Sequence, residues 1–313
     1  MSREPEVWIR EVGTRDGLQS IATIFPTAAK LDWIRREAAA GVPEIEVGSF
    51  VSPKLLPQMA DSAAVVAGAR DIPGLRVSAL VPNLRGAENA FAAGVDQVNY
   101  VLSVSEAHSQ ANVRRSVADA ITEFGAIVEF RNAHPEYRHI RIASGLATAF
   151  GCTLAGPIAV ADVVAAAERL LALGADELAV ADTVGYGNPA QCRRIFKAVL
   201  AVADGIPVGA HFHDTRGLGL ANVDAALEAG VRRFDASLAG LGGCPYAPGA
   251  SGNIVTEDLV FMLEAMGLAT GIDLDGLIDA RRVMAAHLNG EPTHGAFVNA
   301  GVPKGFVAAS ASA

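Results

Sequence analysis

The sequence predicts an α/β fold, a (β/α)8 TIM barrel with a short C-terminal helical extension. Three observations lead there. Short β-type runs alternate with alanine-rich helical patterns from one end of the chain to the other. Several of those patterns stop at a similar phrase before the next strand: Ala40-Gly41, Ala93-Gly94, Leu173-Gly174 and Ala229-Gly230. Glycine there takes the left-handed backbone that ends a helix. The residues able to do chemistry collect after strand ends, which is where such a barrel carries its active site.

The elements follow in order. Val7–Val12 is the first strand, and the helix Thr27–Ala40 carries the chain to the second, Glu44–Ser49. Strands three and four are Leu75–Val81 and Gln97–Val104. The helix Ser116–Asn132 leads to strand five, His139–Ala147, and Ala159–Leu173 leads to strand six, Glu177–Asp182. Pro189–Ala203 leads to strand seven, Pro207–Asp214, and Leu220–Ala229 to strand eight, Arg233–Leu238. Glu257–Met266 and Asp275–Leu288 form the extension. An open, doubly wound sheet is disfavoured, because no Gly-x-Gly-x-x-Gly turn follows the first strand and the units repeat evenly to the end. No linker rich in proline, serine or charge divides the chain. One domain is therefore expected over residues 1–313, with the barrel at 6–254, the helices at 255–290 and a disordered tail after 307.

Composition narrows the function classes. Half of the 313 residues (51%) are hydrophobic, enough for a large core. A net charge of −9 and a pI near 5.3 argue against nucleic acid or an anionic membrane as partner. The polar start Met1-Ser2-Arg3-Glu4-Pro5-Glu6 is not a signal sequence, and no apolar run is long enough to span a bilayer. Three widely spaced cysteines, Cys152, Cys192 and Cys244, speak against a disulfide framework and for a reducing cytoplasm.

The most informative stretch is His211-Phe212-His213-Asp214. Side chains alternate along a strand, so the two imidazoles share one face, where their lone pairs call for a user such as a divalent metal. With Asp16 after strand one and Asn253 after strand eight they form a plausible ligand set. Two neutral nitrogens, a carboxylate and an amide oxygen without thiolate suit Mg²⁺ or Mn²⁺, with Co²⁺ or Zn²⁺ behind. Each has a plainer reading: hydrogen-bonded core histidines, a turn aspartate, a helix-capping asparagine. Arg15 suits a developing enolate or a carboxylate, or else an ion pair with Glu46 or Asp182. Those two acids suit orientation of Arg15 or proton transfer. Cys244, in the glycine-rich run Gly240–Asn253, suits a general acid or base and equally an inert thiol. Cys152 and Cys192 read as packing residues, and His108, His134, His139, His287 and His294 as structural. The lysines Lys30, Lys54, Lys197 and Lys304 lie outside the predicted strands, which disfavours a Schiff-base aldolase.

Gly13-Thr14-Arg15-Asp16-Gly17-Leu18-Gln19, Ile45–Lys54, Pro57–Asp61 and Gly240–Asn253 closely resemble 3-hydroxy-3-methylglutaryl-CoA lyases, relatives of isopropylmalate synthase. The resemblance implies the metal ligands Asp16, His211, His213 and Asn253. It also implies catalytic roles for Arg15, Glu46, Asp182 and Cys244, substrate contacts from Arg15, Gln19 and Ser49, an acyl-CoA substrate, and a homodimer or larger assembly. The implied reaction is retro-Claisen cleavage to acetyl-CoA and a ketone, as in leucine catabolism. The alternatives are a lyase for another 3-hydroxyacyl-CoA, a Claisen-type synthase, and a non-catalytic metal- or CoA-binding relative. The chain departs from the family pattern after strand one, reading Thr14-Arg15-Asp16-Gly17-Leu18-Gln19-Ser20-Ile21 where the family usually has Pro-Arg-Asp-Gly-Leu-Gln-Asn-Glu, and again after strand five. Where the family tends to show Tyr-Val-Ser and then Gly-Cys-Pro-Tyr-Glu-Gly, it reads Gly145-Leu146-Ala147 and Gly151-Cys152-Thr153-Leu154-Ala155-Gly156. A tyrosine and a carboxylate are thus replaced by small or apolar residues, which suits a bulkier or less polar acyl group.

Overall fold

In the computed structural model, which describes residues 4–242 and 252–311, eight parallel strands close into a barrel in sequence order. They are β1 (Trp8–Glu11), β2 (Glu44–Ser49), β3 (Arg76–Val81), β4 (Gln97–Ser103), β5 (Arg141–Ala147), β6 (Glu177–Asp182), β7 (Val208–Phe212) and β8 (Arg233–Ala236). β1 pairs with β8 along its whole length, from Trp8 opposite Arg233 to Glu11 opposite Ala236, and this seam closes the sheet. The connecting helices are α1 (Thr27–Ala39), α2 (Ser62–Ala69), α3 (Leu84–Ala93), α4 (Glu106–Val113), α5 (Val117–Ala133), α6 (Val160–Leu173), α7 (Pro189–Ala203) and α8 (Gly219–Ala229). The four predicted glycine stops hold: Gly41, Gly94, Gly174 and Gly230 all have φ between +89° and +110°.

Strand parity divides the interior in two. Ile142, Leu146, Leu178, Val180, Ala210, Phe212 and Phe234 face outward and are buried under the helices. The inward positions are unusually polar for a barrel core, where branched aliphatic layers are the rule. Arg10 sits at the centre of them. Its Nε and Nη2 each donate to Asp235 at 2.9 Å, its Nη1 donates to Asn99 Oδ1 at 3.3 Å, and Glu44 and Glu177 lie 3.5 Å from Nη1. Below, Arg233 bridges Glu44 and Glu177, and Arg76 and Arg233 flank the Trp8 ring. Each charge in this inward layer is met by an opposite one, which is what lets it remain ionic.

α9 (Thr256–Ala265) and α10 (Leu274–Ala285) form the extension, with α10 packed on α1. Residues after 307, expected to be a tail, return to α9. Ser310 donates from its backbone amide and its hydroxyl to Glu264 at 2.7 and 2.5 Å, and Ala309 is buried. Glu264 offers a carboxylate that the tail can satisfy, so the chain is seated through residue 311. Among the described residues no helix is long and apolar enough to cross a membrane.

Candidate metal centre and active site

The site begins where β1 ends. The amides of Arg15, Asp16 and Gly17 all converge on the Val12 carbonyl, at 3.1, 2.7 and 3.3 Å, and wind the chain into one tight turn over Gly13–Gly17. That turn aims Arg15 and Asp16 into a cavity of about 780 Å³ at the C-terminal end of the barrel. Arg15 Nε donates to Glu46 Oε2, and its Nη1 donates to Asp16 Oδ1 at 2.6 Å. Glu46 is fixed on its other oxygen by Asn99 Nδ2 at 2.7 Å. Gln19 Nε2 donates to the same Asp16 oxygen at 2.8 Å.

His211 and His213 share a face as strand alternation requires, their Nε2 atoms 3.1 Å apart. Asp16 Oδ2 is 3.7 Å from His213 Nε2 and accepts from Asn253 Nδ2 at 2.7 Å. Asn253 reaches this point because the returning chain pairs with the end of β7: Asp214 N donates to Gly252 O, and Ile254 N to Phe212 O. Gly252 makes the approach possible. Its φ is +96°, and a Cβ there would lie 2.1 Å from the Gly242 carbonyl.

The donor set fits a divalent cation. One donor atom from each of Asp16, His211 and His213 falls within 4.8 Å of the others. Asn253 Oδ1 is buried with no hydrogen-bond partner among the described residues. A buried amide oxygen without a partner is costly, and a ligated ion would satisfy it. Electrostatics agree. Burial alone would raise the Asp16 carboxyl, but Arg15, then His213 and His211, outweigh it and hold the group well below the usual carboxylate range. His211 Nδ1 faces Asp235 Oδ2 at 3.1 Å, which leaves Nε2 for a metal. Burial would lower that imidazole, and Asp235 and Asp16 reverse the sign and raise it.

The other expected residues divide. Arg15, Gln19 and Glu46 line the cavity. Ser49 does not: it is 1% exposed, its hydroxyl accepts from Val51 N at 3.4 Å, and Ser52 lines the cavity in its stead. Asp182 is also set apart from the cavity lining. It accepts from Tyr186 N and Gly187 N at 2.8 and 2.9 Å and braces the turn after β6, and burial raises its pKa. Cys244 lies outside the described residues, as does the rest of 243–251. His108, read as structural, lines the cavity with its Nδ1 2.8 Å from Ser103 Oγ.

Three contributors escaped the sequence reading: Asp235, Arg10 and Asn99. Arg10 and Asp235 each lie two residues from another inward-facing polar side chain on their own strand, Trp8 and Arg233. That period-two pattern was the available signal.

The HMGL-like family model matches residues 6–284. A Pseudomonas aeruginosa protein named 3-hydroxy-3-isohexenylglutaryl-CoA/hydroxy-methylglutaryl-CoA lyase is 40% identical over 288 residues, 92% of this chain and 95% of its own. The mitochondrial hydroxymethylglutaryl-CoA lyase of Mus musculus is 40% identical over 284 residues, 91% of this chain and 86% of its own. A solved HMG-CoA lyase from A. baumannii, in complex with coenzyme A and 3-methylmalate, superposes with a TM-score of 0.90 at 42% identity, covering 98% of this chain and 99% of that one. The chain belongs to the HMGL-like family, among the hydroxymethylglutaryl-CoA lyases.

Proposed function

We propose that this chain is a carbon–carbon lyase, dependent on a divalent metal. It cleaves a 3-hydroxy-3-methylglutaryl-CoA-type thioester to acetyl-CoA and a ketone, which is acetoacetate for the methyl parent. The observation that carries the reading is the convergence of Asp16, His211, His213 and the unpartnered Asn253 Oδ1 beside Arg15 in one cavity. The relatives' names and the coenzyme A complex of the A. baumannii lyase support the substrate class.

Asp16, His211, His213 and Asn253 would hold the ion, Mg²⁺ or Mn²⁺ by the hardness of the donors. When bound, it supplies a lowered pKa for the substrate hydroxyl and charge neutralisation. The protein residues do the rest. A base beside the C3 hydroxyl takes its proton, the C2–C3 bond breaks, and its electron pair moves onto the thioester as an enolate. Arg15 is anchored through Nε and Nη1, and no described residue takes its Nη2. That nitrogen is left to donate to the enolate oxygen without reorganising. Glu46, held by Asn99, keeps the guanidinium in place, and Gln19 holds the Asp16 oxygen from the solvent side. Cys244 is assigned to protonation of C2, and Asp182 to bracing the turn behind His213. The protein works as a homodimer or larger assembly in a reducing cytoplasm.

The test is acetyl-CoA release from 3-hydroxy-3-methylglutaryl-CoA with Mg²⁺ or Mn²⁺, with and without EDTA. The expected outcome is release that chelation abolishes and added metal restores. Release indifferent to EDTA would remove the metal from the reading.

A further inference from the structure

Gly145 has no structural reason to be glycine. It lies within β5, and its φ is not in the left-handed range. A Cβ built on it would meet nothing nearer than the Tyr100 carbonyl and Val101 Cγ2, both at 3.9 Å. Gly48 in β2 shows the contrast, since a Cβ there would lie 2.5 Å from Ser62 Oγ. Glycine inside a strand adds backbone entropy to the unfolded chain and no packing to the folded one. What Gly145 contributes is space in the cavity, because the missing side chain would point into it.

The surroundings state what the space suits. Gly145 pairs with Val101 on one side and Ala179 on the other, and with Ala147, Ala181 and Leu80 they form an apolar patch in a lining that also holds Asn99, Ser144 and Thr183. In a 3-hydroxy-3-substituted glutaryl thioester, C3 carries a hydroxyl, a carboxylate arm, a thioester arm and one further substituent. The first three match the metal ligands, Arg15 and the open mouth. The fourth is the one arm without a polar group, and this patch is the surface left for it.

We propose that Gly145 is the specificity-determining position of the site, and that it admits an apolar C3 substituent larger than methyl. The substrate class is a 3-hydroxy-3-alkyl- or alkenylglutaryl-CoA. This rests on the lyase reading above.

The experiment measures kcat/KM of the full-length chain with Mn²⁺ on two thioesters, 3-hydroxy-3-methylglutaryl-CoA and its 3-isohexenyl analogue. Wild type is compared with Gly145→Ala and Gly145→Tyr. Wild type is expected to prefer the isohexenyl thioester by at least about tenfold, the low end of what one methylene earns in an apolar pocket. The preference should shrink in Gly145→Ala and fall at least about hundredfold in Gly145→Tyr. Mn²⁺ titration and circular dichroism establish that each variant folds and binds metal, and Gly145→Ala carries the test if the tyrosine variant does not. A wild type that cleaves the methyl thioester and prefers it, or a ratio that the substitutions leave unmoved, would overturn the proposal while the lyase reading stands. Cleavage of neither thioester by metal-loaded wild type would sink both.

Discussion

The two halves of the barrel mouth are built on opposite principles. β1, β2, β7 and β8, with the turns that follow them, present Arg15, Asp16, Glu46, His211, His213 and Asp235. β3 to β6 present Leu80, Val101, Gly145, Ala147, Ala179 and Ala181. In the first half nearly every polar atom is held by another: Asn99 holds Glu46, Glu46 holds Arg15, Arg10 holds Asp235, and Asp235 holds His211. In the second half Asn99 reaches across from β4 to Glu46, but Leu80, Val101, Gly145, Ala147, Ala179 and Ala181 offer no side-chain hydrogen bond. One half is suited to fix reacting atoms in place. The other is suited to select by size and shape, the role proposed above for Gly145. The difference teaches that the residues suited to hold an ion and those that leave room for a substrate sit mostly on different strands of one barrel.

Substitutions in the polar half should therefore break turnover, and those in the apolar half should not reach the metal. The largest effect is expected from Arg15→Ala. Loss of a donor to a developing oxyanion should lower kcat by about 10²–10³. Mn²⁺ affinity, read by calorimetry, should change only a few-fold. Unchanged kcat would withdraw Arg15 from the reaction.

Next comes Asp235→Ala, which removes the partner that orients His211. Mn²⁺ affinity should weaken by about 10–100-fold, the usual loss when such a supporting carboxylate is deleted. Ala179→Val, across the cavity, should leave that affinity unmoved. Equal losses in both variants would mean that the two halves are not independent.

The smallest effect lies on the outer side of the polar half, where Glu11, Glu37 and Glu257 are buried together. Burial, then the charge of Glu11, pushes Glu37 well above the usual carboxylate range, and burial raises Glu11 from 4.5 to about 7. Between 4.5 and those raised values the folded protein keeps protons that the unfolded chain has released. The contribution of this cluster is thus full below about pH 4.5 and declines as pH rises. Glu37→Gln removes one of these titrations. Its Tm should nearly match wild type at pH 5 and exceed it by about 3 °C at pH 8, roughly the shift per kcal/mol for a chain of this size. A constant offset at both pH values would point to packing instead.

Much of this was legible in the sequence, for reasons that differ by element. All eight strands lie within a few residues of their expected bounds, because alternation and glycine stops are local signals. Asp16, His211 and His213 were legible because they lie at or just past strand ends, and a spacing of two puts both imidazoles on one face. Asp235 and Arg10 were not, since they meet across a seam that joins positions 225 residues apart. Ser49 and Asp182 lie at the right strand ends but turn to local backbone partners, and that depends on the geometry of the turn after them. The seating of the tail was hidden because its anchor, Glu264, belongs to another helix.

Asp16 and Asn253 touch although they stand 237 positions apart in the chain. On a ribosome the first of them emerges long before the second, and the β1–β8 seam between their strands cannot close until strand eight is free. The proposed metal centre is therefore among the last features to assemble, and metal binding by a nascent or refolding chain should report completed closure and not early collapse. A chain stalled before β8 would carry Asp16, His211 and His213 and still lack the circular sheet that brings them together. In kinetic terms an ion held there would act as a latch on the finished barrel, slowing its opening more than it speeds its formation.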